Sequence, residues 1–435
     1  MKSKTSIYPP GSTNANWFSL FNAVIFQVAN GAPAFLYAKS LGAPATVLGV
    51  IASFSPLLTI LQIPAARFLE KTGYKRFTIC GWGLRTFCVF GLVFLPLLHS
   101  LGNASKLWIV LFLLFGFNLL RGVTSGAWLP WITELIPEQV RARFLSRDQI
   151  FVNAGSFAVF LACALILGKN PASWQFSMVF LLSTLGGWVS IFFLKRIPDI
   201  EPGEKMRKSN HRIPWKEIIS FPPFLKFTLF MFLFCTSIAS SGVFGIMFLK
   251  ARVHLGDSLI LYLTVLYFTG SLVSLPLIPR TIDYAGSKAV ILVSNSIFTL
   301  NFLVWALFAA EMVPASFPIL CLLYFIGGIS GAFFTVAQVR LMMNTTPVMG
   351  RSHFFAFFSA LTSLGLGAAP VLWGIMIDAL HGVHTVTGPV HWNKFSIYYF
   401  IQLVLAAGIT LFTLALHEKK KPEEKLELSV QAVIK

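Results

Sequence analysis

Charge is what this sequence has least of. Only 11% of its 435 residues are Asp, Glu, Lys or Arg, far too few to coat a soluble domain of that length. Acid is scarcer than base, 16 residues against 34. No Asp, Glu or His lies deep in a long apolar run; Glu134, Asp148 and Asp378 stand at run ends, and the eight histidines sit in loops, termini or run ends. An enzyme working at membrane depth needs a nucleophile with its base, or a metal cluster, and neither constellation is present. No enzymatic activity, metal or cofactor is therefore expected. The five cysteines (Cys80, Cys88, Cys163, Cys235, Cys321) all fall in apolar runs without metal or disulfide spacing, and read as small packing residues. A cleavable signal peptide is not expected either: the start is short and polar, with Lys2 and Lys4, and its first apolar run is followed by many more.

What is abundant is apolar. Such residues make up 56% of the chain, and Phe alone supplies 44 positions. Crossing about 30 Å of hydrocarbon takes roughly 20 apolar residues as a helix. Runs of that length begin near Trp17, Thr46, Phe77, Leu107, Gln149, Phe176, Leu225, Leu259, Ala289, Pro318, Phe354 and Ile397. The chain is thus expected to be an all-α membrane protein of twelve transmembrane helices. A polar stretch from Lys195 to Pro223 splits them six and six, giving bundles over 1–194 and 224–417, a linker over 195–223 and a tail over 418–435.

The net charge of +18 could suit nucleic acid, but the basic residues lie in short loops between the runs, which is a topology signal. Arg67, Lys71, Lys75 and Arg76, then Arg141, Arg143 and Arg147, then the linker and Lys419–Lys421 fall on one side. The positive-inside rule makes that side, and both termini, cytoplasmic. The linker run Lys205, Arg207, Lys208 and Arg212 reads as a solvated orienting segment rather than a headgroup site. A multi-pass protein of the plasma (inner) membrane follows, in contact with lipid and not with nucleic acid. Trp17, Trp108, Trp131, Trp174 and Trp392 near span ends fit interfacial anchoring.

The two sets of six repeat each other. Glu70-Lys71-Thr72-Gly73-Tyr74-Lys75 lies against Asp283-Tyr284-Ala285-Gly286-Ser287-Lys288; Pro137, Arg141 and Phe144 against Pro347, Arg351 and Phe354; Asn30-Gly31 and Lys39 against Ser241-Gly242 and Lys250. The order is kept and the offset is nearly constant. Like-oriented halves of this kind imply parallel repeats, with a site near the midplane between them that is exposed by rocking.

In these features the chain resembles the major facilitator superfamily over essentially its full length. The most specific shared element is the loop between spans 2 and 3, which reads Ala66-Arg67-Phe68-Leu69-Glu70-Lys71-Thr72-Gly73-Tyr74-Lys75-Arg76. Ala66 replaces the family's leading Gly, and Glu70 its Asp. Span 4 carries Asn118-Leu119-Leu120-Arg121-Gly122, with the arginine moved by three from the family's place, and the span-5 Gly-Pro motif of antiporters is absent from Asn153–Gly168. The resemblance implies two pseudo-symmetric six-helix bundles and a secondary, non-ATP transporter working by alternating access, here as a monomer. It also implies a gating role for Glu70, Lys71 and Gly73, with Asp283 and Gly286 as the second copy. Lys75, Lys288, Glu134, Arg141, Arg143 and Arg351 are added as partners.

Polar groups inside a bilayer are costly unless they face a cavity or a partner. Candidates for binding a solute are Asn22, Gln27 and Asn30 on span 1, Asn118 and Arg121 on one face of span 4, Gln149 and Asn153 on span 5, and Ser237 and Ser241 on span 7. Arg121 lies about 21 Å into its span. Arg85, about 12 Å in from the cytoplasmic side, reads as snorkelling to the interface. An offset of 210 sets Asn118 and Arg121 against Gly328 and Gly331, so recognition is assigned to the N-terminal half and room to the other. A small polar or anionic metabolite is the expected cargo. An exporter of apolar drug-like compounds, or a lipid-handling or sensor protein on the same scaffold, is the alternative.

Overall fold

The computed structural model describes residues 9, 11–200, 221–346 and 351–418, less the side chains of residues 66, 67, 70, 71, 138, 139, 142, 351–353 and 356. The linker's basic run and the lysine tail lie outside the described residues.

Twelve helices are long and apolar enough to cross a membrane. In order they are spans 1 (Thr13–Ser40), 2 (Ala45–Ala65), 3 (Tyr74–Leu97), 4 (Asn103–Leu135), 5 (Arg143–Ile166), 6 (Ser173–Lys195), 7 (Pro222–Ala251), 8 (Asp257–Ser274), 9 (Ser287–Ala309), 10 (Phe317–Thr345), 11 (Phe357–Ala379) and 12 (Lys394–Leu414). An even number returns both termini to one end, the terminal end; the other is the far end. The only strands among the described residues form a hairpin, β1 (His384–Thr387) and β2 (Val390–Asn393), before span 12. Its Asn393 caps that span, accepting from the backbone N–H groups of Phe395 at 3.0 Å and Ser396 at 3.1 Å.

The repeat is visible in the backbone. Span 1 breaks at Gly31, between Thr13–Asn30 and Ala32–Ser40; span 7 breaks between Pro222–Ile238 and Ser241–Ala251. In span 1, Pro33 sits in the first turn of the new helix, where its missing N–H costs nothing. The loops after spans 2 and 8 turn at Gly73 (φ 73°, ψ 161°) and Gly286 (φ 83°, ψ 161°), a conformation that needs glycine. The helices starting at Tyr74 and Ser287 are offset by 213, while the C-caps of spans 4 and 10, Ile136 and Thr346, are offset by 210.

Packing separates the two ends. At the far end one apolar core runs through both halves, joining Leu36, Leu48 and Phe160 to Phe248, Leu261 and Ile377. At the terminal end each half has its own main core. One holds Phe18, Trp82, Trp131 and Phe144 of the N-terminal half, the other Phe230, Ile282, Phe334 and Leu416 of the C-terminal half. Among the described residues the two bundles are joined at one end and separately cored at the other, which leaves a cleft toward the termini.

Trp131, expected as an interfacial anchor, is instead fully buried, its indole N–H donating to the Pro198 carbonyl at 3.0 Å. Trp108 and Trp174 are exposed, as anchors should be.

Candidate solute site and gates

The far-end seam is built from close backbone approach. Gly49 of span 2 meets Pro370 of span 11 so tightly that a Cβ there would stand 2.1 Å from the Pro370 carbonyl oxygen. Gly374 faces the Ala45 carbonyl in the same way, at 2.6 Å. Glycine is needed at this pair because any side chain would hold the helices apart. Spans 5 and 8 form the second seam, where the Phe160 and Phe268 rings stack at 5.5 Å and the Ser258 N–H reaches the Gly168 carbonyl at 3.4 Å.

Asp378, at the far end of span 11, closes the seam. Its Oδ1 accepts from the Ala45 N–H at 3.0 Å, and its Oδ2 from the Thr46 N–H and hydroxyl at 2.7 Å each. These are the orphan donors of span 2's first turn, so one bundle caps a helix of the other. Hydrogen bonds to a charged group contribute about 1.5–3 kcal/mol. Asp378→Ala is therefore expected to raise far-end labelling of a cavity cysteine by about tenfold, measured with an impermeant maleimide.

Beneath the seam lies a cavity of about 410 Å³ lined from both halves: Phe26, Gln27, Asn30, Ala52, Ser55 and Phe160 on one side, Val243, Thr264, Tyr267, Phe268 and Tyr324 on the other. The Gln27 amide donates to Ser156 at 3.0 Å, and Asn30 Oδ1 has no hydrogen-bond partner. Arg121 stands behind this wall. Its guanidinium donates to Ser55 at 3.1 Å and Thr59 at 3.4 Å and lies over the Phe26 ring at 4.6 Å. Ser55 and Phe26 are cavity residues, so the charge is one side chain away from solute. Among the described residues no carboxylate pairs with Arg121.

The other sequence candidates are dispersed. Asn22 accepts from Arg85, which is 1% exposed and held between Trp82 and Phe117 at 4.8 and 5.2 Å. Arg85 therefore does not snorkel; the Asn22 carbonyl and two ring faces replace the interface. Asn118 is buried on the Leu114 carbonyl, Asn153 is buried, and Gln149 is exposed; none of the three lines the cavity. Ser237 donates to Gln402 at 2.8 Å within the C-terminal bundle, and Ser241 bonds the Ile238 carbonyl at the span 7 break. Gly328 and Gly331, expected to leave room opposite Asn118 and Arg121, are closely packed. They seat Tyr267, since added Cβ atoms would meet its carbonyl at 1.9 Å and its hydroxyl at 2.5 Å.

The gating candidates lie at the terminal end, within their own bundles. Arg141 donates to the Thr133 and Ile136 carbonyls at 2.5 and 3.3 Å, capping the last helical turn of span 4. Glu134 accepts from the Tyr74 hydroxyl at 3.0 Å. Asp283 pairs with Arg340 at 2.7 Å, and Glu418 caps span 9 through the Ser287 and Lys288 N–H groups at 2.8 Å. The Lys288 ammonium reaches the Leu414 carbonyl at 2.7 Å. Arg143 is exposed and Lys75 half-buried. The side chains of Glu70, Lys71 and Arg351 lie outside the described residues.

Reading residues one at a time missed Tyr267, Tyr324, Ser55 and the cross-bundle role of Asp378. Tyrosine belongs at span ends, where its hydroxyl is wet. Tyr267 and Tyr324 stand well inside spans 8 and 10, and that placement was the available signal.

A central cavity between two six-helix bundles, sealed at one end and open at the other, is the architecture of an alternating-access membrane carrier. The sequence profile of the Major Facilitator Superfamily matches residues 16–264 and 232–433. The chain belongs to that family, and its fold is that of a secondary transporter rather than an enzyme. Among solved structures it is similar to a D-xylose–proton symporter (14% identity, TM-score 0.72, covering 94% of this chain and 97% of that one). It is also similar to the inward-open xylose transporter XylE from E. coli (16%, 0.69, 96% and 98%) and the nucleoside transporter NupG (13%, 0.65, 95% and 100%). At these identities the likeness is one of fold. No curated protein sequence matches the chain.

Proposed function

We propose that this protein carries a small anionic organic solute through the cavity between its bundles. The observation that carries this reading is Arg121, a cation at membrane depth bonded, among the described residues, only to hydroxyls and a ring face. A buried charge is costly unless paired, and unlike Arg85, which is shut between two rings, Arg121 adjoins the cavity. An anion arriving at the Ser55–Phe26 wall would supply a counter-charge. Asn22 and Asn118 support the wall from behind, through Arg85 and span 4. By the positive-inside rule the terminal end is cytoplasmic, so the conformation described is open to the cytoplasm, in an inner membrane and as a monomer. The loop residues Gly73, Lys75, Arg143, Gly286 and Lys288, with Glu70, Lys71 and Arg351, are proposed to pair across the bundles when the terminal end closes.

The test is flux into proteoliposomes over a panel of organic anions, sugars, amino acids and apolar drugs, without ATP. Saturable uptake of organic anions is expected. Uptake confined to neutral compounds, or lipid movement with no solute flux, would overturn the reading.

A further inference from the structure

A second cavity of about 310 Å³ opens inside the C-terminal bundle, among spans 7, 8, 9, 10 and 12. It shares Gly242, Tyr267 and Tyr324 with the central cavity, so the two adjoin at those residues. Its walls are ring faces: Trp305 and Tyr399 stack on each other at 5.3 Å, and Phe298 and Tyr324 complete them. Two polar atoms stand out. Tyr399 is 1% exposed and its hydroxyl has no hydrogen-bond partner, although buried polar groups are almost always paired. Asn301 is on the same wall, its amide already donating to the Leu323 carbonyl at 3.3 Å.

From this geometry we propose that the side cavity is a subsite for a planar aromatic ring of the transported solute, whose acidic group lies toward Arg121. The substrate class is then an aromatic carboxylate or similar aromatic anion, an inference that rests on the anion reading above. Aromatic pairs contribute beyond the area they bury when rings offset-stack or meet edge to face, and this wall offers both arrangements. A cavity of about 150 Å³ is enough for benzene, so space does not limit the fit. No acid lines the cavity, so it supplies no counter-charge to a cationic ring. Gly242 is the proposed doorway: it lines both cavities, and a Cβ there meets nothing within 4 Å, so the space beside it is open.

The experiment compares three probes on the full chain in nanodiscs by calorimetry: benzoate, cyclohexanecarboxylate and benzyl alcohol. Benzoate is expected to bind about tenfold more tightly than cyclohexanecarboxylate, which has the charge but no π face. Gly242→Phe fills the doorway without a backbone clash and should erase that ratio while cyclohexanecarboxylate still binds; Gly242→Val, a smaller plug, should reduce it. Arg121→Gln should weaken both acids alike and leave benzyl alcohol unchanged. Equal affinity for the two acids in the wild type, or a ratio untouched by Gly242→Phe, overturns the ring subsite. A wild-type ratio that Gly242→Phe erases, together with an inert Arg121→Gln, would keep the ring subsite and overturn the anion reading instead.

Discussion

Gly49→Leu is expected to hold the far end of the molecule open and abolish transport. The added Cβ would lie 2.1 Å from the Pro370 carbonyl oxygen and 2.7 Å from its carbon, both rigid backbone atoms. The nearest atoms it would meet, those of Pro370 and Val371, belong to the other bundle, so the clash exists only while the far end is closed. Each bundle can still fold, and the conflict is relieved when the bundles rock apart at that end. The readout is an impermeant maleimide applied from either side to Thr264→Cys, a cavity position, with the five native cysteines replaced. Wild type should label from the terminal end. Gly49→Leu should label from the far end, and an unchanged pattern in folded protein would count against the seam.

Arg121→Gln should weaken binding of an organic anion by at least about thirtyfold. Truncating one member of a buried, hydrogen-bonded charge pair costs about 2–5 kcal/mol, and 2 kcal/mol corresponds to roughly that factor. Glutamine can still bond Ser55 and Thr59, so the scaffold persists while the charge is lost. Arg121→Lys keeps the charge but not the planar fork that bridges two hydroxyls and lies on Phe26, so it should fall between the two. Calorimetry on benzoate reads both. Unchanged affinity in Arg121→Gln would show that the anion is held elsewhere.

Much of the architecture was legible because the bilayer imposes it. Twelve spans follow from length and hydropathy, and the paired turns at Gly73 and Gly286 followed from one recurring loop whose backbone admits only glycine comfortably. What was not legible depends on partners distant in sequence. Arg85 looked like a snorkelling side chain until Asn22, Trp82 and Phe117 enclosed it. Trp131 looked interfacial until the Pro198 carbonyl took its N–H. Asp378 was read as a span-end charge, because its bonds run to residues 332 and 333 positions away. Tyr267, Tyr324 and Tyr399 were hidden for a different reason. In a chain with 44 phenylalanines, ring faces toward lipid and toward a cavity have the same composition, and only the buried hydroxyl differs.

The central claim is that the two bundles close one end as they open the other. Two spin-label distances measured by pulsed EPR test it: Lys169 to His254 across the far end, and Thr72 to Tyr284 across the terminal end. All four positions are exposed. Between wild type and Gly49→Leu, the far-end distance should lengthen and the terminal-end distance shorten in the same molecules. A change confined to one end, or both distances moving in the same direction, would contradict alternating access about the cavity described here.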